Sequence, residues 1–309
     1  MSATDFFAAS RVLVVAGKGG VGKTTVGATI GVAAAAHGLD VLLVELEGRS
    51  NLAAPFAFEQ LHYETLLLEE SGGGGRLRAR RLTPDEALRD YIEHSGLGPL
   101  SDRLAQSGSV EVVATAAPGI RDLLVLGKIR QMEEAGEADL IVVDAPAAGH
   151  AITFLRSAAG LATATSAGPV RQQADQVLAL LGDEQRCRVV LVTVPEDAPV
   201  TELVETAYDL EDRAGVSLGP IVVNNRWMPV DGLDDALTAT GPTDDTPLVA
   251  AARYRIDRVR AQQAEVDRLR RELPLPLLEL PHLFTTRLDR GDLTTLADAM
   301  CSQLDAGVG

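Results

Sequence analysis

The stretch GKGGVGKT, residues 17–24, constrains this chain more than any other part of it. It matches the spacing of a glycine, four residues, then Gly-Lys-Ser/Thr. It stands between the apolar run RVLVVA (11–16) and an Ala-rich segment of helical character (23–37). A strand that breaks into glycines and restarts as a helix leaves successive backbone N–H groups pointing inward, which is the geometry that grips phosphate oxygens. Gly17, Gly19, Gly20, Val21 and Gly22 supply that backbone. Lys23 brings charge to the outer phosphates, the Thr24 hydroxyl suits Mg²⁺, and Thr25 completes the set at the helix start. The spacing predicts a nucleotide-binding loop.

Apolar runs recur at 40–46, 139–144, 187–194 and 219–224, each followed by helix-like sequence. That pattern predicts an α/β fold, a mainly parallel sheet with helices on both faces. Asp144 ends the run DLIVVD, so its carboxylate is expected at the C-terminal edge of the sheet, where it can orient Mg²⁺ through water. The small residues APAAGH after it suit a segment that moves with a γ-phosphate. Residues 52–138 read as a hairpin and helical insertion within a single domain spanning 1–309. The hairpin turns at Gly72–Gly75, one helix starts at Thr83 with Glu86 three positions on, and another carries Leu123, Leu126, Ile129 and Met132. Pro229 to Pro247 reads as a long surface loop. Residues 248–273 read as a helix with seven arginines against four acids, a solvated face packed on the body.

The 309 residues suit one large domain or two modest ones, and 46% hydrophobic with 23% charged residues excludes a disordered chain. A net charge of −16 argues against nucleic acid as a partner. No apolar run reaches the roughly 18 residues of a membrane span, and the N-terminus lacks the features of a secretory signal, so a cytoplasmic protein is expected. Cys187 and Cys301 stand far apart and read as small apolar fillers. Only three lysines occur, Lys18, Lys23 and Lys128, and two of them share the glycine loop.

Lys18, directly after the first glycine, resembles the signature lysine of the deviant P-loop group. In that group the lysine crosses a dimer interface to the nucleotide of the other subunit, which implies a face-to-face dimer with ATP at the seam. The whole chain resembles the ArsA-type anion-transporting ATPases, a family that includes the ATPases targeting tail-anchored membrane proteins. GKGGVGKTT (17–25), DAPAAGH (144–150), VPEDAPVTEL (194–203) and IVVNN (221–225) carry the likeness. The resemblance implies a P-loop NTPase fold, bound ATP and Mg²⁺, Glu196 near the partner's nucleotide and Asn224 reading adenine. It also implies that LPHLFTTR (280–287), with Pro281, forms the backbone loop over the base.

The departures from the family pattern are specific. Where the family reads TDPAH this chain has LEGRS, so Glu47 takes the place of the aspartate that positions the attacking water. The paired glutamates of VELEGR resemble an actinobacterial branch whose members often occur as two related subunits. The zinc CxxC of the targeting subgroup and clustered arsenite-binding cysteines are missing, and four methionines are few for an adaptable client groove. The leading expectation is a dimeric ATP-hydrolysing switch, as a homodimer or with a paralogous subunit, whose helical insertion grips a protein client. A catalytically weak nucleotide sensor and a partition or septum-site positioning ATPase are the alternatives. Against the last, the C-terminal DLTTLADAMCSQLDAGVG has no Lys or Arg to anchor on a membrane.

Overall fold

The computed structural model describes residues 2–46, 52–94, 119–239 and 246–307. The apolar runs become strands of one sheet: β1 Val12–Gly17, β2 Asp40–Leu46, β5 Leu140–Ala147, β6 Cys187–Thr193 and β7 Leu218–Arg226. To these are added β3 Leu66–Glu70, β4 Arg76–Leu82 and a short β8 Leu277–Pro281. The order is β3-β4-β2-β5-β1-β6-β7-β8, and every pairing is parallel except β3 with β4. All six residues of β1 are buried, as a central strand covered on both faces requires. This is the α/β P-loop architecture expected from the sequence.

Helices α1 (Ala3–Ala8), α2 (Lys23–Ala36) and α10 (Arg290–Asp305) cover one face, packing Phe6, Phe7, Ile30 and Met300 onto Leu13, Val15 and Leu43. The other face carries α4 (Ile120–Glu134), α5 (Ala148–Ala164), α6 (Pro169–Leu181), α7 (Asp197–Asp209) and α9 (Pro247–Glu272). On α4, Leu123, Leu126, Ile129 and Met132 are all buried in that second core. Capping boxes start α1 at Ser2 with Asp5 and α10 at Asp289 with Asp292.

Helix α3 (Pro84–His94) starts as its sequence predicts. The Thr83 hydroxyl accepts from the Glu86 amide, and the Thr83 N–H donates back to the Glu86 carboxylate. The hairpin also forms, but it is not set apart from the sheet. β4 lies along β2 from Asp40 opposite Arg76 to Leu46 opposite Leu82, so the hairpin is the sheet's edge. Asp40 anchors it by accepting from Arg76 and from Arg78 Nε at 2.8 Å. The third lysine, Lys128 on α4, pairs with Asp90 on α3 at 2.5 Å, and the Tyr63 hydroxyl donates to the same carboxylate. The Arg80 guanidinium lies over the Tyr63 ring at 4.3 Å. Residues 95–118, between α3 and α4, lie outside the described residues.

The expected loop from Pro229 to Pro247 contains a helix, α8 (Leu233–Ala239). Asp234 and Asp235 in its first turn favour the positive end of the helix dipole, which loop-like composition concealed. No helix among the described residues is long and apolar enough to cross a membrane.

Candidate functional site

The chain leaves β1 through the glycine loop and enters α2 at Lys23. Gly22 is the N-cap with φ 91°, no side chain caps the helix, and no acid sits in its first turn. The first N–H groups of α2 therefore point out of the sheet edge without a protein partner from the cap position, which is what an anion needs. A methyl group at Gly22 would overlap the Asn224 carboxamide, so the loop closes tightly over β7 as well as turning left-handed. Gly17, Gly19, Gly20 and Val21 complete the turn. Val21 is buried and its carbonyl accepts from Asn224 Nδ2 at 3.0 Å.

Lys23 folds back over this loop, its ammonium donating to the Lys18 carbonyl at 3.2 Å. Burial pushes its pKa below the ordinary lysine value, and nearby Asp144 acts in the opposite direction. A desolvated ammonium of this kind gains the most from an arriving phosphate. The Thr24 hydroxyl donates to Asp144 Oδ2 at 2.7 Å, joining the helix start to the end of the β5 apolar run. Asp144 is only 7% exposed. Its register neighbour on β2 is Glu45, equally buried, and paired residues on parallel strands face the same side. The Thr24 hydroxyl and the Asp144 carboxylate thus meet at the edge of the loop, an oxygen pair of the type that suits Mg²⁺, with Glu45 in register beside Asp144. Glu45 was readable only as half of the glutamate pair in VELEGR. Glu47, the candidate for orienting water, lies outside the described residues. β5 continues through Ala147, and α5 begins at once at Ala148, so Gly149 and His150 of the DAPAAGH segment lie in a helix's first turn.

A cleft of about 380 Å³ opens beside the loop, lined by Gly22, Thr25, Asn224, Asn225, Pro281 and His282, with Leu283 and Thr285 beyond. Asn224 and Pro281 are therefore brought to one cavity from strands β7 and β8. Asn224 spends its amide hydrogen on the Val21 carbonyl, which makes it a brace of the phosphate loop as well as a wall of the cleft. His282 lies in the LPHLFTTR segment, where sequence reading singled out Pro281 but not this residue. Its ring stacks on Trp227, the chain's single tryptophan, at 5.5 Å, and its Nδ1 meets Asn225 Oδ1 at 3.2 Å. Burial, then Arg258 and Arg255, lower its pKa below the ordinary histidine value.

Lys18 and Glu196 take partners within their own chain. The Lys18 ammonium pairs with Glu202 on α7, and Glu196, the N-cap of α7, accepts from Arg258 on α9 at 2.5 Å. Arg268 of α9 holds Asp197 at 2.8 Å and Thr201 at 2.7 Å. Arg258 and Arg268 thus tie α9 to the start of α7, while Arg260 pairs with Asp234 of α8 and Arg270 with Glu279 of β8.

The model of the anion-transporting ATPases matches residues 10–166, from β1 through α5, and takes in the whole phosphate loop and Asp144. The chain belongs to the anion-transporting ATPase (ArsA-type) family. Among its relatives is ATPase BagA of Mycobacterium tuberculosis, 31% identical over 95% of this chain and 93% of the relative. The arsenical pump-driving ATPase of Escherichia coli is 29% identical over 69% of this chain and 34% of its own length. ATPase GET3B of Arabidopsis thaliana is 25% identical over 71% of this chain and 65% of that protein. The likeness to the mycobacterial ATPase extends past the family match, over β6, β7 and β8, where the cleft beside the loop lies.

Proposed function

We propose that the chain is an ATP-binding and ATP-hydrolysing dimeric switch, whose MgATP state controls binding of a protein client or partner subunit. The observation that carries the reading is the bond from Thr24 to Asp144, which holds a magnesium-type oxygen pair beside Lys23 at the mouth of an uncapped helix. In this reading the loop amides of Gly19 to Thr25 and the Lys23 ammonium hold the phosphates, and Thr24 and Asp144 would hold Mg²⁺, which would offset negative charge on the phosphates. Asn224 and Pro281 flank the base. Glu47 orients the attacking water. Lys18 leaves Glu202 and reaches the nucleotide of a partner across a face-to-face seam, near Glu196. The hairpin and helical insertion, residues 52–138, contributes the client contact.

The replacement of the family aspartate by Glu47 favours a second reading, a nucleotide sensor of low turnover that acts with a paralogous subunit. Two assays separate the readings. In calorimetric titration Lys23→Ala abolishes ATP binding, and unchanged affinity would refute both. In the same titration Asp144→Asn keeps ATP binding in EDTA and loses the gain from Mg²⁺, and a phosphate-release assay reads turnover. Wild-type release indistinguishable from the buffer rate, alone and with a paralogue, would leave only the sensor.

A further inference from the structure

Gln262 lies in the middle of α9, far from the phosphate loop in sequence, yet it is only 2% exposed. Both ends of its carboxamide bond the turn that ends β7, Asn225 to Trp227. Oε1 accepts from the Trp227 N–H at 2.8 Å, and Nε2 donates to the Asn225 carbonyl at 3.2 Å. The Arg226 guanidinium reaches the same Oε1 at 3.5 Å and is itself fixed by Glu279 of β8 at 2.9 Å. The turn so clasped is an unusual one. Asn225 has φ 59°, a left-handed conformation that asparagine takes more readily than other non-glycine residues.

Both walls of the base cleft hang on this turn. Asn224 and Asn225 line one side, and the other is tied on where the Arg226 carbonyl accepts from the His282 N–H at 2.8 Å. His282 also stacks on Trp227 and meets the Asn225 side chain. No bond connects Gln262 to Gly17–Thr25 among the described residues; its partners all belong to the turn.

We propose that Gln262 is a positioning residue for base selectivity: it sets the Asn225–Trp227 turn, and through it the width and polarity of the cleft, without touching the nucleotide. The proposal rests on the reading of this cleft as the base site. Without the carboxamide two half-buried backbone groups lose their partners, the turn loses its tie to α9, and the walls separate. The phosphate cradle keeps its geometry. Base recognition and phosphate recognition therefore respond differently to one substitution, and a purely structural role would not split them.

The test is calorimetric titration of the full chain with ATP, GTP and inorganic tripolyphosphate, each with Mg²⁺. Gln262→Met is close in shape and removes both bonds. ATP affinity falls about tenfold, tripolyphosphate affinity stays within about twofold, and the ATP-to-GTP ratio collapses toward unity. Gln262→Glu keeps the acceptor for Trp227 and loses the donor to Asn225, so its ratio falls between those of wild type and Gln262→Met. If circular dichroism shows Gln262→Met unfolded, Gln262→Glu alone decides, by the same fall in ratio. Folded variants that retain the wild-type ratio overturn the role of Gln262 and leave the base cleft standing. A wild-type chain that binds ATP and GTP equally overturns the base cleft itself, and this proposal with it.

Discussion

Gly22→Ala tests how closely the phosphate loop depends on β7. At φ 91° an L-residue carries about 1–2 kcal/mol of backbone strain. The new methyl would also displace the Asn224 carboxamide, whose bond to the Val21 carbonyl is buried; losing it leaves two polar groups unpaired, about 1–3 kcal/mol more. The sum is about 2–5 kcal/mol. Gly20→Ala provides the internal standard, because Gly20 has φ 86° but open space where a methyl would go, so it costs the strain alone, about 1–2 kcal/mol. In an Asn224→Ala background nothing remains to be displaced, and Gly22→Ala costs only its strain. The double-mutant cycle therefore yields a coupling of about 1–3 kcal/mol, read from urea denaturation followed by circular dichroism and by emission of Trp227. A Gly22→Ala cost equal in both backgrounds to within about 0.5 kcal/mol would refute the argument that Asn224 braces the loop.

Three further outcomes follow from single contacts. Glu202→Gln releases Lys18 from its partner in the same chain; because both side chains are more than a third exposed the pair is worth only ~0.2–1 kcal/mol, so ATP-dependent dimerisation strengthens by at most about fivefold in light scattering. A weakened dimer would show that Glu202 assists Lys18 rather than competing for it. Lys128→Met leaves the Asp90 carboxylate poorly compensated between α3 and α4 and lowers stability by about 1–3 kcal/mol, with Asp90→Asn restoring part of the loss; a thermal melt unchanged by Lys128→Met would count against a lock between these helices. The folded-state pKa of His282 lies below its unfolded value near 6.5, so the unfolded chain takes up protons first as the pH drops. Stability falls as pH drops from 6.5 toward the lowered folded value and then levels, and denaturation curves of His282→Gln between pH 7 and 5 show a smaller fall than wild type.

The strands β1, β2, β5, β6 and β7 were legible because each is a run of apolar residues long enough to cross a sheet buried on both faces. β8 was not: LLELP follows one proline and ends in another, and it becomes a strand only through pairing with β7. The hairpin was legible as a hairpin, but its place in the sheet was not, since register with β2 depends on residues more than thirty positions earlier. The phosphate loop was complete in eight consecutive residues. The cleft beside it, by contrast, draws on β7, the end of β8 and the segment after it, which no local pattern brings together.

What the chain determines by itself is the cradle. Glycines that adopt left-handed φ and a lysine at the start of a helix act over a few bonds, so their geometry follows from local sterics and helix capping. What the tertiary structure alone decides is which groups the cradle faces. Thr24 meets Asp144 across 120 positions, Val21 meets Asn224 across 203, and Lys18 meets Glu202 across 184. Those meetings depend on strand order and register, which burial of two whole sheet faces selects cooperatively and no local pattern encodes.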